Sequence, residues 1–256
     1  MTRTEADITL DEAEKLWLAG EKPQAREAFR RARLLYHEGG DTIGEAQALV
    51  QIGDLEAETG HAPGAREAYV EARALYAHAG DQRHQAGVLV RLGRLAQRHG
   101  DSATARGCYA SAHELYDSAS DSSGLGHVCR RLGHLEREAG GQDRALDHYR
   151  QALGHFRHGG DTLGEAHTLR ALAGIARGLG QWDRARSKCD LAIDLFREAG
   201  DMLGEAKGLR DLAQVLGAEG DTAAARKAMH QAARLFAKAG DARAHDEAEA
   251  AARTWG

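Results

Sequence analysis

The chain has 256 residues, 29% of them charged and 5% aromatic, with two prolines and a formal net charge of -5. Abundant Ala, Leu, Arg and Glu favour helix, and the scarcity of β-branched and aromatic residues argues against sheet; no apolar run reaches the roughly 18 to 20 residues that span a bilayer, and the opening MTRTEADITL lacks the apolar core of a secretion signal. An all-α, soluble, cytoplasmic protein without a membrane partner is expected, and its three cysteines, Cys108, Cys129 and Cys189, odd in number and without CxxC spacing, fit reduced thiols better than a disulfide frame or a zinc site.

From Gly20 onward one unit of forty residues recurs without insertion or deletion, with Asp at 41, 81, 121, 161, 201 and 241 and Gly at 20, 60, 100, 140, 180 and 220. A period of this size is the signature of a solenoid, in which each unit buries its apolar face only against its neighbours. The chain is therefore read as a single domain over 1–256, with units 1–40, 41–80, 81–120, 121–160, 161–200 and 201–240. In the first unit Thr9 and Glu12 stand where other units carry bulky residues, so 1–40 is read as a degenerate, polar N-terminal cap.

In the second unit Ala46, Leu49, Ile52, Gly53 and Glu56 fall at helical spacing, and Ala65, Ala68, Tyr69, Ala72, Leu75 and Tyr76 do so after Gly60. Each half-unit predicts one amphipathic helix. Gly60 and Gly80 sit where a helix ends in a left-handed residue, and Asp81 sits where the next helix wants an acceptor for its free backbone N–H groups. Pro23 and Pro63 both fall in the first turn of a second helix, where a missing N–H costs little. Later units repeat this plan, and residues 241–254 begin a seventh unit without its second helix, which predicts a C-terminal capping helix.

The seam itself reads GDTIGEA at 40–46, GDTLGEA at 160–166 and GDMLGEA at 200–206. Two glycines and an acid before a helix could suggest a phosphate cradle, but no strand precedes it and the Lys and Ser/Thr of a phosphate loop are missing, so it is read as structural punctuation.

Two small places and one aromatic place recur in the second helices. The alanines are Ala25, Ala65, Ala105, Ala145, Ala185 and Ala225, then Ala32, Ala72, Ala112, Ala152, Ala192 and Ala232; between them stand Phe29, Tyr69, Tyr109, Tyr149, Cys189 and Met229. With Leu49, Ile52 and Gly53 of the first helix, this resembles the tetratricopeptide repeat (TPR). The usual repeat is about 34 residues, and the longer unit with a Gly-Asp seam is similar to the repeats of Pins/LGN-type polarity adaptors and of bacterial regulatory TPR proteins. The resemblance implies a right-handed α-solenoid superhelix of six helix-turn-helix units plus a capping helix, with the first helices lining a concave surface.

No HExxH, GxSxG or GxxxxGK[ST] is present, so no enzymatic activity and no cofactor are expected. His148, His155 and His158 are dense, yet His148 and His155 lie about 10 Å apart along a helix, too far to share one metal directly. His155 stands where Leu35, Leu75, Leu115, Leu195 and Leu235 stand elsewhere and is read as a tolerated polar replacement. Cys108, Cys129 and Cys189 are read as small core residues.

The stripe that the TPR resemblance places on the concave face carries Gln47, Val50, Asp54 and Ala57 in the second unit. Next come Gly87, Val90, Arg94 and Gln97; His127, Arg130, His134 and Arg137; His167, Arg170, Gly174 and Arg177; and Lys207, Arg210, Gln214 and Gly217. Those last sixteen positions hold seven Arg or Lys and no acid, in a chain whose net charge is negative. Like charges facing one another across adjacent units destabilise the fold unless an anion relieves them, and Gly87, Gly174 and Gly217 would leave room for a ligand backbone. The expected ligand is an acidic peptide or protein segment gripped by bidentate arginine contacts, and the expected protein is a monomeric, non-catalytic scaffold or adaptor. The chain has no Asn, so the paired-asparagine carboxylate clamp of chaperone-binding TPRs is not expected. A peptide-sensing bacterial regulator is an alternative, as is single-stranded nucleic acid along the same ladder. The stripe carries no Phe, Tyr or Trp for base stacking, which counts against nucleic acid.

Overall fold

The computed structural model describes residues 4–255. These form thirteen α-helices and no strand: α1 (Glu5–Leu18), α2 (Lys22–Glu38), α3 (Thr42–Glu58), α4 (Ala62–His78), α5 (Gln82–Arg98), α6 (Ser102–Ser118), α7 (Ser122–Glu138), α8 (Gln142–Gly159), α9 (Thr162–Gly178), α10 (Trp182–Glu198), α11 (Met202–Glu219), α12 (Thr222–Lys238) and α13 (Ala242–Arg253). The chain divides into two compact units, one up to Gly124 and one from Leu125. Among the described residues no helix is long and apolar enough to cross a membrane.

The seam aspartate serves two helices at once. The backbone N–H of Asp161 donates to the Phe156 carbonyl at 2.9 Å, closing α8 as Gly160 takes a φ of +68°; its carboxylate accepts from the Gly164 N–H at 2.6 Å, opening α9. Asp41, Asp81, Asp201 and Asp241 do the same at their seams. The first pattern is a Schellman closure and the second an N-cap, so one residue satisfies orphan backbone groups on both sides. Gly164 is a packing requirement as well: a Cβ there would overlap the Phe156 ring, just as one on Gly204 would overlap Phe196. Where His84 replaces that glycine, its ring stacks on Tyr76 at 5.1 Å instead.

In the first unit α1 to α6 pack in sequence order around Phe29, Leu49, Ile52, Leu55, Tyr69 and Tyr76. Thr9, read as part of the polar cap, is nearly buried and donates its hydroxyl to the Glu5 carbonyl at 2.8 Å. In the second unit α8 to α13 also pack neighbour on neighbour, and α13 covers Ala228, Met229 and Phe236 with Ala248 and Ala252. All twelve recurrent alanines of the second helices are 0% exposed. Helix axes approach this closely only where the intervening side chain is a methyl.

The aromatic column is paired with a small residue. A Cβ on Gly133 would lie 2.7 Å from the Tyr149 ring, and Gly53 and Gly93 stand in the same relation to Tyr69 and Tyr109. The second unit abandons this pairing in its next repeat: Ala173 takes the small place, and Cys189, 0% exposed, takes the ring's place beside it.

Candidate basic cavity

That replacement has a consequence on the first-helix face. In the second and fourth repeats the ring's hydroxyl bonds a stripe residue fifteen positions earlier: Tyr69 Oη donates to Asp54, and Tyr149 Oη lies 2.9 Å from His134 Nδ1, while Tyr109 Oη donates to Gln97 at 3.0 Å. At the corresponding pair, Cys189 replaces the tyrosine and Gly174 its partner, so ring, hydroxyl and acceptor are all missing. A cavity of about 240 Å³ stands there.

Three consecutive repeats supply its wall. Arg130, His134 and Arg137 come from α7, His167, Arg170, Ala171, Ala173, Gly174 and Arg177 from α9, and Cys189, Asp211 and Val215 from α10 and α11. The α7 and α9 residues recur at three- and four-residue steps, which places them on one side of each helix. A Cβ on Gly174 would meet nothing within 4 Å, so this glycine does open space, as the sequence suggested.

The electrostatics are those of a poorly neutralised cation cluster. Arg170 pairs with Asp211 at 3.4 Å. Arg130 lies over the Phe156 ring, 6.0 Å from its centroid, and its Nη2 is 3.3 Å from His127 Nδ1. Burial, reinforced by Arg131 and Arg170, pulls the Arg130 guanidinium down to about 10. Burial and then the surrounding arginines press His134 down to about 3 and His167 to about 4, so both imidazoles are neutral at pH 7. Burial also lifts the Cys189 thiol to about 12 and raises the Asp211 carboxyl, against the opposing pull of Arg170, Arg210 and Arg177. Arg130 Nε and Arg170 Nη1 are buried without a hydrogen-bond partner. A buried donor left unpaired costs on the order of 1 to 3 kcal/mol, more when it is charged.

Of the eleven residues picked out from the sequence, Arg130, His134, Arg137, His167, Arg170 and Arg177 come together in the wall. The other five do not line it. His127 faces Asp161, with Nε2 3.3 Å from the carboxylate, and packs edge-on to Phe156 at 5.0 Å. Arg210 lies over the Phe236 ring, 5.7 Å from its centroid, while Lys207 is partly buried and Gln214 exposed on α11. Arg94 belongs to the first unit, where a pocket of about 310 Å³ mixes it with Arg91, Arg98, Asp54 and Glu58. Gly217 offers no room, because a Cβ there would lie 2.8 Å from Trp255 Nε1.

Sequence reasoning missed two members of the wall. Asp211 sits one position beyond the stripe, so the acid-free ladder has an acid beside it. Cys189 was read as a core residue; the signal that it opens a cavity was its joint departure with Gly174 from the pairing seen in Tyr149 and His134.

Known structures share this architecture. The chain superposes on the sensor-bearing STAND protein from Pyrococcus horikoshii, described as having a tetratricopeptide repeat sensor, with a TM-score of 0.71 and 15% identity over 94% of this chain and 35% of that one. The fold is a TPR fold. The chain is also similar to BtubC (BKLC) from P. vanneervenii, with a TM-score of 0.70 and 20% identity over 93% of each chain. A Rap protein complexed with Competence and Sporulation Factor gives a TM-score of 0.69 and 14% identity over 99% of this chain and 76% of that one. No family model matches the chain, and no curated protein does.

Proposed function

We propose that this TPR protein is a non-catalytic interaction scaffold that binds an acidic protein or peptide segment on the first-helix face of its second unit, centred on the cavity between α7, α9 and α11. Arg130, Arg137, Arg170 and Arg177 receive carboxylates, His134 and His167 add neutral imidazole hydrogen-bonding groups, and His127, Lys207, Arg210 and Gln214 flank the centre. Arg94 is a separate basic contact of the first unit. The observation that carries this reading is the pair of buried, unpartnered guanidinium nitrogens, Arg130 Nε and Arg170 Nη1, in the wall of one cavity. Small turns of either guanidinium toward an oxyanion would supply the missing acceptors.

A protein segment is favoured over single-stranded nucleic acid because the cavity wall contains no Phe, Tyr or Trp on which a base could stack. A second reading, a peptide-sensing regulator, draws support from the likeness to a Rap protein complexed with Competence and Sporulation Factor. It shares the same site and differs in what binding does afterwards.

The test is a titration of a synthetic Glu-rich peptide into the full chain and into the Arg130→Glu/Arg170→Glu/Arg210→Glu variant. Binding is expected to vanish in the variant while its helical circular dichroism persists. Equal affinity in both proteins would overturn the proposal.

A further inference from the structure

We infer that the cavity is the receptor for one phosphoryl group carried on a side chain of the bound segment, which it binds in preference to the carboxylate of an ordinary acidic residue. The inference rests on the acidic-segment reading and specifies what its deepest position holds.

Charge is the first reason. Four guanidiniums and a single carboxylate line the cavity, and both imidazoles are neutral, so the wall carries about three positive charges more than it neutralises. A Glu side chain brings one negative charge; a phosphate monoester brings about 1.5 to 2 at pH 7, with three acceptor oxygens. Number and placement of donors give the second reason. The two unpartnered nitrogens belong to different helices, α7 and α9, while Arg170 is already turned in part to Asp211 on α11. A planar carboxylate presents two oxygens in one plane, whereas a tetrahedral group can accept from guanidiniums on separate helices at once.

Shape is the third. The cavity of about 240 Å³ has room for one tetrahedral anion and its ester linkage. Asp211 repels any anion that enters, a dianion more than a monoanion, so the preference for a phosphoryl group rests on the four guanidiniums that outnumber it. The space exists because Cys189 and Gly174 stand where Tyr149 and His134 stand one repeat earlier.

The experiment uses three peptides of one Glu-rich sequence that differ at a single position, Ser, Glu or phosphoserine, titrated calorimetrically into the full chain, with inorganic phosphate as a separate probe. The phosphoserine peptide is expected to bind about tenfold or more tightly than the Glu peptide. That advantage should disappear in Arg130→Gln, and independently in Ala173→Gly/Cys189→Tyr, which restores the ring and fills the cavity, the phosphoserine peptide losing more affinity than the Glu peptide in each. Equal affinities for all three peptides would overturn the phosphoryl assignment and leave the acidic-segment reading standing. No binding of any of them would overturn both. Inorganic phosphate binding as tightly as the phosphoserine peptide would make the cavity a free-anion site and overturn its assignment to a partner's side chain.

Discussion

His134 and His167 show how strongly single residues feel this cavity. An unfolded histidine titrates near 6.5, whereas burial and the adjacent arginines hold these two at about 3 and about 4. Below pH 6.5 the unfolded chain therefore takes up protons that the folded chain refuses, so the stability these residues permit is complete above about 6.5 and declines as pH falls toward 4. The thermal midpoint is expected to drop between pH 7 and pH 5, and His134→Gln/His167→Gln should flatten the drop; a variant with the same slope as the parent would refute the role given to the imidazoles. The residue scale is also where sequence reading lost most. The period put six of the wall's side chains on one face, but whether an arginine ends over a ring, as Arg210 does on Phe236, or beside an acid, as Arg170 does on Asp211, depends on rotamers and on neighbouring repeats. Such contacts leave no trace in a helical period.

At the scale of the helix, repeat columns were legible because each is fixed by a local constraint: a left-handed glycine, a capping aspartate, a methyl where two helices meet. Couplings between columns were not read, and the cavity is one of them. Tyrosine needs glycine opposite it, as Tyr149 needs Gly133, whereas Cys189 tolerates Ala173. Gly133→Ala is accordingly expected to destabilise the protein by about 1 to 3 kcal/mol through overpacking, while Ala173→Gly should cost only about 0.5 to 1 kcal/mol, the ordinary penalty of glycine in a helix. Urea unfolding midpoints of the two variants measure this, and a larger loss for Ala173→Gly would contradict the pairing. The last element carried one surprise. Residues 241–254 were expected to cap, and α13 does cover the core, but Trp255 beyond it also occupies the place over Gly217 that was expected to be open.

Across the whole molecule, the forty-residue period specified thirteen helices and their order, because a solenoid repeats its nearest-neighbour contacts and little else. The charge pattern specified a basic face in a chain of net charge -5. It did not concentrate that face at one point; the structure does so through a gap in packing. Since the attraction is between partly exposed charges, affinity for a Glu-rich peptide is expected to weaken several-fold as ionic strength rises from about 0.05 to 0.5 M and the Debye length shortens from about 14 Å to about 4 Å. Salt-independent affinity would point to an apolar mode of binding instead. The most direct measurement is a crystal structure of the full chain with a Glu-rich peptide. Density for an acidic side chain within hydrogen-bond distance of Arg130 Nε and Arg170 Nη1 is the expected result; a peptide seated on another face, with water alone between α7, α9 and α11, would contradict it.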